Sequence, residues 1–151
     1  MYLGGGNRPA MLSTVTKAQR TILLTAAIFG LLAVLLGTFG AHGVQQKVSP
    51  YDYRNYEKAS QYHFIFMILL FVVGLLAGQL REAKGLFVSF VFFTLGIVLF
   101  SGSLYFIATR NIHQINFPAF VYLITPMGGF CFLIGWIWLI VTLSKLKASP
   151  S

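Results

Sequence analysis

Residues 21–44 read TILLTAAIFGLLAVLLGTFGAHGV, and this stretch decides the fold. It carries no Asp, Glu, Lys or Arg and exceeds the roughly 20 residues that cross about 30 Å of hydrocarbon at about 1.5 Å per residue. A secretory signal has a shorter apolar core of roughly 7–15 residues, so the run predicts a helix that stays in the membrane. Ala26, Gly30, Ala33, Gly37 and Gly40 fall at steps of 4, 3, 4 and 3. Small residues therefore line one face, along which another helix can approach closely.

The rest of the chain repeats the message. Of 151 residues, 57% are hydrophobic and 9% charged, against roughly 25% charged in an average soluble domain. A soluble fold could not cover itself with so little charge, so the natural solvent is lipid. The net charge of +8 sits almost entirely between apolar runs, as expected of loops at a bilayer surface, and argues against nucleic acid as a partner. Cys131, the single cysteine, lies inside an apolar run and reads as a packing residue.

Three further apolar runs follow, over residues 60–78, 85–108 and 118–143. The expected organisation is all-α: a flexible tail over residues 1–20, an integral membrane four-helix bundle over 21–143, and a short tail over 144–151. Gly74 and Gly78 make a GxxxG pair, Ser89, Gly96 and Ser103 recur every seven residues, and Gly128, Cys131 and Gly135 share a face. Each span thus carries a small-residue seam. In the polar connection 45–60, Ser49-Pro50-Tyr51-Asp52 has the chemistry of a helix start: a hydroxyl cap, proline in the first turn and an acid beside it. Tyr51, Tyr53 and Tyr56 suit an interfacial belt, and the charges of this connection read as solvated.

Four spans put both termini on one side. Arg8, Lys17, Arg20, Arg81, Lys84, Lys145 and Lys147 lie on that side, against Lys47, Arg54, Lys58 and Arg110 opposite. The bias predicts cytoplasmic termini. With that topology four polar clusters share one depth in the outer half of the bundle. They are Gly37, Thr38, Gly40, His42 and Gly43; Tyr62 and His63; Ser101, Gly102, Ser103 and Tyr105; and Thr125, Pro126, Gly128 and Gly129.

A polar group in hydrocarbon needs a partner or a water-filled cavity. One reading is a hydrogen-bonded knot among Thr38, His42, His63, Ser101, Ser103, Tyr105 and Thr125, with Gly102 as a packing residue and Pro126 freeing a carbonyl near Tyr122. The other is an outward-facing cavity for a lipid headgroup, quinone or ion. His42 and His63 could face each other across two helices as haem ligands do, yet no further ligand-like cluster accompanies them. A zinc site lacks nearby cysteines and carboxylates. The only acids, Asp52, Glu57 and Glu82, lie in connections, so no acid–base pair forms within the bundle. No catalytic residue, metal or cofactor is expected.

At these residues the chain resembles the small membrane proteins grouped as domain of unknown function 423. The family's GAFGAHG stands here as Gly37-Thr38-Phe39-Gly40-Ala41-His42-Gly43, with Thr38 for alanine. FSGSLY is intact at Phe100 to Tyr105, and ITPxGG at Ile124 to Gly129, followed by Phe132-Leu133-Ile134-Gly135-Trp136. The family's YHxxHA departs: Tyr62 and His63 are kept, but Phe66 replaces the second histidine. The resemblance implies a four-helix protein of the bacterial inner (plasma) membrane, or alternatively of the mitochondrial inner membrane, and implies no reaction.

The expected function is a non-catalytic accessory or scaffold subunit of a larger membrane complex. Its partners would be membrane lipids and other membrane subunits or further copies of itself. The alternative is a small lipid- or quinone-binding protein or transporter that uses the outer-half cavity.

Overall fold

Backbone amides in hydrocarbon have no water to bond, and a helix satisfies them within one segment. The computed structural model describes residues 15–80 and 83–146, and the described residues form helices and no strand. Four helices are long and apolar enough to cross a membrane: α1 (Lys17–Val44), α2 (Pro50–Gln79), α3 (Lys84–His113) and α4 (Val121–Ser144).

Their ends follow local chemistry. α1 starts at Lys17 rather than Thr21 because Thr16 caps it, its hydroxyl accepting the Gln19 amide at 3.1 Å. α2 starts at Pro50, so the connecting segment and the second span are one helix. Ser49 caps it, accepting the Asp52 amide at 3.1 Å. α3 continues beyond Ala108 to His113, and α4 begins after a turn in which the Val121 amide bonds the Pro118 carbonyl at 3.0 Å. Most of the two expected tails, with Arg81 and Glu82 of the middle turn, lies outside the described residues.

The helices run antiparallel and pack in chain order, α1 on α2, α2 on α3 and α3 on α4, while α1 and α4 scarcely touch. The bundle is therefore an arc with one open side. Its core includes Ile22, Phe66, Leu70, Val73, Leu86 and Phe93. α3 and α4 interlock by glycines: Phe93 fills the space at Gly135, Phe132 fills that at Gly96, and Thr142 meets Gly85. At Gly128 the opposing atoms are backbone: an added Cβ would lie 2.7 Å from the Phe100 Cα. Such contacts, and not water exclusion, hold helices together in lipid. Leu123, Met127, Phe130, Leu133, Ile137 and Ile140 form an exposed stripe on α4 that faces lipid.

Two of the helices depart from α geometry. α1 ends in a π turn over Gly40–Val44, and α3 contains one over Ile97–Ser101. Each accommodates one extra residue, with the Gln45 amide reaching Gly40 O at 3.0 Å and the Gly102 amide reaching Ile97 O. Such bulges gather at functional sites.

Candidate functional site

The gap between α1 and α4 is a cavity of about 430 Å³, within the size range of small-molecule sites. Phe29, Leu32 and Leu36 of α1 form one wall, and Val121 and Ile124 of α4 form the other. The floor is α3 from Ile97 to Phe106, and α2 contributes His63. Phe117, from the α3–α4 connection, lies at the end nearest that connection. Leu32, Val98 and Phe106 are 40%, 52% and 67% exposed, so the cavity opens sideways toward lipid.

Four polar side chains line this otherwise apolar space and are buried: Ser101 at 0% exposure, His63 at 3%, Ser103 at 7% and Tyr105 at 9%. Neither ring nitrogen of His63, nor Ser101 Oγ, nor Tyr105 Oη has a hydrogen-bond partner. The Phe29 carbonyl is near His63 and the Ser60 hydroxyl near Tyr105, but neither is in hydrogen-bonding geometry. His63 is instead held by aromatic edges, 5.5 Å from the Phe29 ring and 6.2 Å from the Tyr105 ring. A buried polar group without a partner is costly in low dielectric.

The hydrogen-bonded knot does not form as expected. One of its links exists: Ser103 and Thr125 lie 2.7 Å apart, and Ser103 Oγ is 3.0 Å from the Phe100 carbonyl. Because Ser103 donates its only proton to Phe100 O, Thr125 must be the donor between the two hydroxyls. Thr125 thus serves Ser103 rather than the carbonyl that Pro126 frees. Thr38 and His42 are exposed and do not line the cavity. Thr38 lies on the outside of α1 before the π turn, and His42 lies within the turn.

The glycines divide into two kinds. Gly40 receives the Tyr56 ring, a Cβ at Gly37 would lie 3.7 Å from Ser60 Oγ, and Gly128 meets the α3 backbone. Gly43 is covered by Phe39 of its own helix, and a Cβ at Gly129 would just touch the Phe100 ring at 4.0 Å. Gly102 is different. Nothing lies within 4 Å of where its Cβ would be, so it keeps space open and is not the packing residue that the sequence suggested. Tyr62, half on the surface, belongs to an aromatic cluster, with its ring 4.7 Å from that of Phe100. Phe66 is a core residue, stacked on Phe132 at 3.6 Å with 10° between the planes.

Sequence reasoning missed Asp52. Read as a solvated charge, it is 2% exposed, and Arg110 Nη2 lies 3.2 Å from its Oδ1. That contact is ionic, off hydrogen-bond alignment; Oδ2 accepts from Ser49 at 2.9 Å and from Asn111 at 3.2 Å. The cluster ties the start of α2 to the end of α3. Nearby, Tyr56 donates to the Leu36 carbonyl at 2.7 Å and so fixes α1 to α2 just before the π turn.

The family described as "Protein of unknown function (DUF423)" matches residues 36–129, which contain both π turns and all four motifs. The chain is 36% identical over 127 residues to the UPF0382 membrane protein YwdK of Bacillus subtilis, covering 84% of this chain and 98% of the relative. It is 36% identical over 130 residues to the UPF0382 inner membrane protein YgdD of Escherichia coli K12, covering 85% and 93%. A UPF0382 membrane protein of Staphylococcus epidermidis is 35% identical over 127 residues. No solved structure matches. With four helices fit to span a bilayer, the chain is a multi-pass protein of the bacterial inner (plasma) membrane. It belongs to the DUF423 family.

Proposed function

We propose that this protein binds a lipid-like molecule in the side-opening cavity and performs no covalent chemistry on it. One observation carries the reading: His63, Ser101 and Tyr105, whose polar atoms are buried and unpartnered, are among the residues that line an apolar space open to the bilayer, so a small turn of each side chain would present them to it. An apolar tail replaces lipid contacts along the walls, and the head supplies the hydrogen bonds that the protein leaves unmade. No acid lines the cavity, so His63 has no carboxylate beside it to orient it as a general base. The cation bias of the connections supports cytoplasmic termini and an outward-facing polar end.

The test is purification in mild detergent, with mass spectrometry of everything that travels with the protein. A lipid-like molecule is expected at close to one per chain, and the Gly102→Leu variant, whose side chain fills the open space, loses it. A wild-type preparation that carries a stoichiometric membrane protein and no such molecule would instead make this an accessory subunit.

A further inference from the structure

Resting on that reading, we infer that the bound molecule has an uncharged head bearing carbonyl or hydroxyl oxygens, as in a quinone or a diacylglycerol, and is not a phospholipid. Two features of the cavity lead there. The first is its charge. Among the lining residues there is no Lys, Arg, Asp or Glu, and the polar groups are one imidazole and three hydroxyls. A phosphate buried against these would lack a counter-ion, and an unpaired charge in low dielectric is far more costly than an unpaired hydroxyl.

The second feature is the apolar rim of the cavity. His63 stands only five residues past the exposed Lys58, about 7 Å at the helical rise of about 1.5 Å per residue, so it is burial and not depth that sets it apart. On the connection side of the cavity stand Phe106, Phe117 and Val121, all apolar. A head at His63 is therefore screened from the interface, where phospholipid phosphates lie. Arg110, which could have supplied a cation from the same end of α3, is engaged with Asp52.

The donors and acceptors match an oxygenated neutral head. A neutral imidazole offers one donor and one acceptor, and each hydroxyl offers both. Ser101 and Tyr105 are one turn apart on α3 and face His63 across the cavity base. A carbonyl oxygen could accept from one of them while a second oxygen donates to or accepts from another. Ser103, already committed to Phe100 and Thr125, is not needed.

The experiment uses the full chain in mild detergent, exposed to an equimolar mixture of a long-chain quinone, a diacylglycerol and phosphatidylglycerol, with bound species read by native mass spectrometry. The quinone or the diacylglycerol is expected to be retained at least about tenfold over phosphatidylglycerol, and which of the two dominates identifies the source of the head. Gly102→Leu should abolish that retention, since its side chain extends into the space that Gly102 leaves open. Tyr105→Phe, which keeps the ring, should lower it by about threefold to tenfold, the effect of one hydrogen bond. Preferential retention of phosphatidylglycerol, lost in Gly102→Leu, overturns the neutral head and leaves the binding function standing. Retention of nothing, or retention indifferent to Gly102→Leu, overturns both.

Discussion

The two π turns share a geometry and differ in everything around it. The turn at Gly40–Val44 closes α1, and its His42 is exposed. The turn at Ile97–Ser101 lies inside α3, with both of its end residues buried. An extra residue in a helical turn rotates every later side chain around the axis. At the end of a helix little remains to be rotated, so the first turn only redirects the chain's exit. Inside α3 the same insertion determines which way Gly102, Ser103 and Tyr105 point, and the cavity floor follows. A π turn is therefore informative in proportion to the helix that comes after it.

The two turns are also braced differently: backbone meets Gly128 at the α3 turn, whereas at the end of α1 a tyrosine side chain packs on Gly40 and bonds Leu36 O, and substitutions separate them. The largest effect is expected from Gly128→Ala. Its methyl meets the α3 backbone beside Phe100, which cannot step aside as a side chain can, so the loss is about 3 kcal/mol, high in the range for overpacking. Unfolding in detergent measures it, with Gly102→Ala as the control that should unfold like the parent. Equal stability of the two variants would break the steric account of the internal turn.

Arg110→Ala comes next. It leaves the Asp52 carboxylate buried with only Ser49 and Asn111 as partners. The expected loss is about 2 kcal/mol, below the 3–5 kcal/mol typical of a fully buried pair, because Arg110 is 28% exposed. Its unfolding midpoint should fall while Arg110→Lys recovers part of the loss. Tyr56→Phe removes the hydroxyl that reaches Leu36 O and should lose about 1 kcal/mol. His42→Ala should change stability by less than about 0.5 kcal/mol, as an exposed side chain does. A His42 effect as large as that of Tyr56→Phe would erase the contrast between the turn's braced face and its free one.

Much of this architecture was legible in the sequence. Run lengths marked the spans, and the glycine spacings on the third and fourth helices marked faces that do meet, as Gly96 with Phe132 and Gly135 with Phe93 show. Ser49 and Pro50 announced the start of α2. What local pattern cannot carry is which way a side chain faces after the helices pack. His42 and His63 both stand in small or polar motifs near helix ends, yet one is exposed and the other 3% exposed. Asp52 looked solvated because its neighbours are polar, whereas its partner arrives from the far end of another helix. Gly102 looked like packing for the same reason that Gly128 did, and only the position of the opposing helix tells a filled space from an open one. The π turns have no local signature here beyond glycine, since the extra residue is stabilised by what packs around it.

The side opening between α1 and α4 also governs how the site would be filled. A molecule that enters through it never leaves the hydrocarbon, so its supply is set by its mole fraction in the bilayer and not by any aqueous concentration. Encounter becomes a two-dimensional search along the membrane plane. Occupancy should then fall as excess detergent or inert lipid dilutes that plane, even when the volume of water is held fixed.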